Sequence, residues 1–297
     1  MDEFVLALLK CKKIGSTKAY EFIKENKFDI DKMKLNLEKF VGSFEFNNFN
    51  RYLKEANEEI KKNRLSEINI ITLLDDRFPT KLYNTSDPIL YLYYKGNIDL
   101  LNDKSIAVIG TRHPTEKSIE LTKRITKEIV DNGYVVIGGL ALGIDSVGHQ
   151  TSIDNHGKTI AVLPTGLDNI QPSSNKKLAN EILNNNGCLI SEYSVGTTLN
   201  TFNFAKRDRI QTALANAIFV GEANEKSGTM IAVNKAIKEN ISVFQFATNE
   251  NKIIKNNIDV NCGNIDEMFN SADNNYKNEI SKSEIINEKC EEQISLF

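Results

Sequence analysis

Between Ile106 and Phe246, six short runs rich in β-branched and other apolar side chains alternate with segments of helical period. The runs lie at 106–109, 134–137, 159–163, 188–190, 217–220 and 242–246. Between the first two, Leu121, Ile125 and Ile129 recur every four residues, which puts an apolar stripe on an otherwise charged helix. Strand and helix in strict alternation leave few architectures open. The expectation is an α/β fold with a doubly wound, mostly parallel sheet and right-handed crossovers. Ligands of such sheets sit beyond the carboxyl ends of the strands, so the residues that follow each run are the ones to inspect.

Before this region, residues 1–65 read as helical, with Leu, Ile and Phe at three- and four-residue spacings among Lys and Glu. The sheet is thus preceded by a small helical domain, similar to a SAM or helix-hairpin-helix unit. The joint at Lys13-Ile14-Gly15-Ser16 is read as a plain Gly-capped turn in preference to a phosphate-holding hairpin. A core over 66–249 and an acidic tail over 250–297 complete the organisation. That tail holds five lysines against ten acidic side chains, so the rest of the chain carries a small positive excess. A short helix at 264–269 followed by a disordered stretch is the reading of its Asn-, Lys- and Glu-rich composition.

The net charge of −3 excludes a protein that coats nucleic acid by bulk charge, so any anion site must be local. No stretch approaches the length of a membrane span, and Met1-Asp2-Glu3 ahead of an apolar run reverses the charge order of a secretory signal. The four cysteines contain no CxxC pair, which argues against a disulfide framework or a zinc site. A cytoplasmic protein without a metal is expected.

After the first strand, Gly110, Thr111 and Arg112 gather a close-approach glycine, a hydroxyl and a fixed positive charge at a helix start, a set that suits a phosphate. Gly138, Gly139 and Gly143 follow the second strand without completing a dinucleotide fingerprint. Asp145 and His149, one turn apart, are read as a cap and a packed histidine rather than an acid–base pair. Phe202 to Arg209 places Lys206, Arg207 and Arg209 against one acid beside Phe202 and Phe204, the mixture of cations and aromatic faces that a single-stranded nucleic-acid groove needs. After the fifth strand, Lys226, Ser227, Gly228 and Thr229 open a helix and offer amides and hydroxyls to an anion.

Taken together, the motifs Ile-Gly-Thr-Arg at 109–112, Gly-Leu-Ala-Leu-Gly-Ile-Asp at 139–145, Thr-Gly-Leu-Asp at 165–168 and Lys-Ser-Gly-Thr at 226–229 resemble the bacterial DNA processing protein A family, also called Smf. The resemblance runs from about Ile71 to Ala247. It implies an extended Rossmann-like fold, often a homodimer, that binds single-stranded DNA and hands it to the RecA recombinase during natural transformation. It implies neither catalysis nor a cofactor. By position, Arg112, Phe204, Arg207 and Arg209 fall where the family's motifs contribute to the DNA pocket. Three positions depart from the family's usual residues: Leu142 stands for Arg, Asp208 for Asn and Gln171 for an aromatic. The lost cation and the added anion weaken phosphate contacts.

Two other classes compete with this reading. A related branch cleaves nucleoside monophosphates through a Gly-Gly-x-Gly-Thr-x-x-Glu motif, but Ala232 stands here where its carboxylate belongs. A non-catalytic sensor of a nucleotide-derived small molecule would use the same strand ends. Finally, Gln293, Leu296 and Phe297 close the chain in a pattern that resembles the short peptide docking on the β sliding clamp; a chance match or a helix end folded back on the core is the alternative.

Overall fold

The computed structural model describes residues 1–224, 227–245, 260–261 and 264–294, with side chains of the last helix described to Ser281. Four helices come first: α1 (Asp2–Lys10), α2 (Ser16–Glu25), α3 (Ile30–Val41) and α4 (Ser43–Arg64). Gly15 is the N-cap of α2, and the Asp29 carboxylate caps α3 by accepting from the amides of Asp31 and Lys32. The apolar run of α1 is buried from Phe4 to Leu8, with the Phe4 ring edge-on to Phe49 of α4 at 5.3 Å.

The sheet holds nine described strands: β1 (Asn69–Thr72), β2 (Tyr91–Gly96), β3 (Ser105–Ile109), β4 (Val135–Gly138), β5 (Thr159–Val162), β6 (Cys188–Ser191), β7 (Ala217–Val220), β8 (Val243–Phe244) and β9 (Val260–Asn261). Their spatial order is β1-β2-β6-β5-β4-β3-β7-β8-β9. From β6 to β9 every pairing is parallel, while β2 is antiparallel to β6 and β1 to β2. One row of the sheet runs Cys188, Ile160, Ile137, Ala107, Ile218, Val243 and Val260 across its parallel part. The connecting helices are α5 (Thr80–Tyr83), α6 (Glu116–Asp131), α7 (Ile144–Asp154), α8 (Lys176–Asn184), α9 (Thr201–Leu214), α10 (Thr229–Lys238) and α11 (Ile265–Ile294). The six runs read as strands are β3 to β8, and the α/β, doubly wound, mostly parallel architecture is observed.

Alternation along the strands sorts the two layers. Ile106 and Val108 face a cluster with Leu121, Ile125 and Ile129 of α6, whereas Ala107 and Ile109 face one that includes Ile210 and Leu214 of α9 and Val233 of α10. This second cluster continues without a break into Phe4, Val5, Leu8, Phe22 and Tyr52 of the first four helices. Polar contacts cross the same seam: Thr72 donates to the Asp2 carboxylate at 2.9 Å, and Asn63 donates to Ser194 Oγ at 2.8 Å.

The chain departs from expectation at four elements. Strands β1 and β2 were absent from the reading of the sequence, and β9 lies in what composition assigned to the tail. The helix expected to stop near Phe269 runs instead to Ile294. Its first turns are held by burial: Met268 and Ala272 are fully enclosed against the α6 layer, and Phe269 stacks on Tyr134 at 5.5 Å. The polar residues that suggested disorder make specific bonds. Asn275 donates to the Asn216 carbonyl at 2.8 Å, and Asp273 accepts from the Tyr134 hydroxyl. Among the described residues no helix is long and apolar enough to cross a membrane.

The packing of α11 has a measurable consequence. Truncating a fully buried methionine costs about 2–5 kcal/mol, so Met268→Ala should lower the free energy of chemical unfolding by an amount in that range. An unchanged denaturation midpoint would mean that α11 does not pack on the sheet.

Candidate nucleic-acid interface

Strand order reverses next to β3: β4, β5 and β6 lie to one side and β7, β8 and β9 to the other. The loops after β3 and β7 therefore diverge to opposite faces and leave a crevice between them, the usual ligand position of a doubly wound sheet. A cleft of about 480 Å³ occupies that place, lined by Gly110 to His113 after β3 and by Ser227, Gly228 and Thr229 where α10 begins.

Four hydrogen bonds fix the β3 loop. The Thr111 amide donates to the Glu222 carbonyl at 2.6 Å, and the Ile144 amide donates to the Thr111 carbonyl at 3.1 Å. The Glu222 carboxylate accepts from the amide of Thr115 at 2.8 Å and from its hydroxyl at 3.1 Å. Such approach requires glycine. A Cβ at Gly110 would lie 2.6 Å from the Glu222 carbonyl, and one at Gly143, whose φ is +77°, would lie 2.2 Å from that of Thr111. Gly143 thus shapes the loop without lining the cleft. On this frame Arg112 stands exposed, its guanidinium 5.1 Å above the ring of Phe204.

The second wall is α9. Phe204, Arg207, Asp208 and Gln211 all line the cleft, at the spacing of one helical face. Arg207 is buried and serves the scaffold: Nη1 donates to the carbonyls of Gly139 at 2.5 Å and Val162 at 3.0 Å, and Nε pairs with Asp208 at 2.8 Å. A Cβ at Gly139 would fall 1.7 Å from that Nη1, so only glycine fits beneath the guanidinium. Burial pushes the Asp208 carboxyl up, and Arg207 opposes it. Asp145 accepts from the Gly139 amide at 2.9 Å and is likewise raised by burial. His149 is fully enclosed, with Nδ1 2.6 Å from the Thr159 hydroxyl, and desolvation pushes it down to about 3, so it is a neutral packed side chain.

Placement corrects part of the site expected from sequence. Gly110, Thr111, Arg112, Phe204, Ser227, Gly228 and Thr229 come together in the cleft, and Arg207 reaches it only as a buried floor. Arg209 points elsewhere. Its guanidinium grips Glu192 at 2.5 and 2.6 Å and Asp87 at 3.2 Å, so its charge is neutralised inside the fold. Lys206 is exposed on α9 outside the cleft lining. Lys226, Leu296 and Phe297 lie outside the described residues, as does the Gln293 side chain. Sequence reading missed Gln211, whose buried amide Nε2 has no hydrogen-bond partner among the described residues. Continuing the helical period from Phe204 through Arg207 would have found it. Among the described residues no cluster of His, Cys, Asp or Glu could hold a metal ion.

The sequence model of the family described as DNA recombination-mediator protein A matches residues 69–272, more than half of the chain. The chain belongs to this family. DNA processing protein DprA of Streptococcus pneumoniae is 36% identical over 173 residues, which cover 58% of this chain and 61% of that protein. Protein Smf of Synechocystis is 34% identical over 70% of this chain and 51% of its own length. The chain thus spans about half to three fifths of these curated relatives. The X-ray structure of the S. pneumoniae DprA superposes with a TM-score of 0.71 at 27% identity, over 85% of this chain and 89% of that one. A Helicobacter pylori DprA structure, described for its single-stranded DNA binding mode, gives 0.61 at 29% identity over 68% of this chain and 94% of that one. The DprA/Smf assignment and its Rossmann-like fold therefore stand.

Arg207 should behave as a structural residue. Removing one partner of a buried ion pair typically costs about 3–5 kcal/mol, so Arg207→Ala should lower the melting temperature by many degrees, while Lys206→Ala leaves it within error. Equal melting of the two variants would contradict the buried role.

Proposed function

We propose that this chain binds single-stranded DNA across the cleft between the β3 and β7 loops, and that as a homodimer it hands the strand to a RecA-type recombinase. The observation that carries the reading is the exposed Arg112 guanidinium over the Phe204 face at the strand-order reversal. A fixed cation beside an aromatic plate offers one contact to a phosphate and one to a base. The start of α10 at Thr229 turns a helix N-terminus toward the same space. Support also comes from the H. pylori relative, whose structure is described by its single-stranded DNA binding mode.

The nucleoside monophosphate-cleaving alternative has little to stand on. Ala232 lines the cleft where a carboxylate would be required, and the nearby Glu222 is engaged by Thr115. Asp145 and Asp208 face Arg207 and the Gly139 amide. DNA uptake and transformation are the process in which we place the protein.

A salt series separates the two halves of the contact. In anisotropy titrations single-stranded oligonucleotide should bind more tightly than duplex. Arg112→Ala should weaken binding and reduce the slope of log K against log salt by about one unit. Phe204→Ala should cost about 1–3 kcal/mol with the slope nearly unchanged. Affinity untouched by both substitutions would refute the site.

The carboxyl-terminal peptide remains a separate proposal, because Leu296 and Phe297 lie outside the described residues. Deleting these two residues should abolish capture by an immobilised β sliding clamp and leave oligonucleotide affinity unchanged. Capture that survives the deletion would remove the clamp from the list of partners.

A further inference from the structure

The helices that follow β3 and β7 both begin beside the crevice, and their first turns differ. At the start of α6 the Glu222 carboxylate already accepts from the amide and hydroxyl of Thr115. The first turn of α10 has no acidic side chain and no side-chain cap, and a Cβ at its N-cap Gly228 would meet no atom within 4 Å. The positive end of a ten-residue helix thus faces open space in the cleft. Two further donors stand there without partners among the described residues: the Gln211 amide Nε2 and the Ser227 hydroxyl. A buried N–H or O–H without an acceptor is costly, so the place calls for a ligand rich in acceptor oxygens. The acids of the lining are otherwise engaged, since Asp208 pairs with Arg207 and Asp145 accepts from the Gly139 amide. Behind the donors the cleft is closed, with Ile109, Gln211 and Ala232 each 5% exposed or less.

We infer that this blind end takes a phosphate monoester, the terminal phosphate of the bound strand, with the Gln211 amide, the Ser227 hydroxyl and the first turn of α10 as its donors. A monoester presents three free oxygens, all of them strong acceptors. A phosphodiester within a strand has two links to carry away from the site, and a closed floor leaves room for one. Strand ends and free nucleotides present the same group, and the experiment separates the two sources. The inference rests on the single-strand reading above and leaves Arg112 and Phe204, nearer the mouth, to the nucleotides that follow the end.

Anisotropy titrations at fixed salt and pH 8 compare one internally labelled oligonucleotide in three forms: with a 5′-phosphate, with a 3′-phosphate and with hydroxyls at both ends. One phosphorylated form should bind wild-type protein about tenfold more tightly than the hydroxyl form, the order expected of one charge-assisted hydrogen bond. Gln211→Leu, which removes the amide at nearly constant volume, should cut that ratio at least threefold. Gln211→Glu, of the same size, sets a carboxylate against the phosphate and should bring the ratio to one or below. Each variant is judged by its own ratio, which a general loss of fold does not imitate. Equal wild-type affinities for the three forms, or a ratio that survives in either Gln211 variant, would overturn the end site and leave the single-strand reading standing. Saturable binding of dCMP with no binding of any oligonucleotide would overturn the single-strand reading and keep the site as one for a free nucleotide. If neither ligand binds, both fall.

Discussion

Much of the site depends on one buried cation. Arg207 reaches from α9 to the carbonyls at the ends of β4 and β5 and so ties a helix to two neighbouring strands at the edge where ligands would approach. The bond carries its own sequence requirement, since any side chain at residue 139 would collide with the guanidinium. It also explains Asp208. A carboxylate beside Arg207 offsets the cost of a desolvated charge, and it does so at the expense of positive potential in the cleft.

Electrostatics in the cleft are correspondingly lean. Arg207 is neutralised by Asp208, Asp145 adds a further acid, and Arg209 is consumed by Glu192 and Asp87 on another side of α9. Among the described residues lining the cleft, Arg112 is the exposed arginine. A site with few mobile cations relies more on shape and on aromatic contact than on counterion release. In the reading we propose Phe204 therefore weighs heavily, as the aromatic wall of the cleft beneath Arg112.

The parallel part of the sheet was legible because burial on both faces selects short β-branched runs, and turns and helices punctuate them at regular spacing. Strands β1 and β2 stand outside the strand–helix alternation, as an antiparallel pair at one edge of the sheet, and β2 is half tyrosine. The start of α11 was obscured for a different reason: Asn and Asp read as disorder by composition, yet here they bond to Tyr134 and Asn216. Charge counted along the chain groups cations that the helix separates. Residues 207 and 209 lie on different faces of a helix, and their partners at 139, 162 and 192 are distant in sequence. The glycine loops were legible because close backbone approach admits no side chain and so leaves its mark in the residues themselves.

The seam between the first four helices and the sheet bears on how such a chain can evolve. The apolar cluster that begins at Phe4 continues to Ile190 and Val220, and Asp2 with Thr72, Asn63 with Ser194 and Glu59 with Tyr93 are bonded across it. A helical segment imported from a relative by gene fusion would arrive with knobs cut for another surface and with acids lacking their hydroxyl partners. The two segments thus share one packed core, and a volume change on either side of the seam is felt on the other.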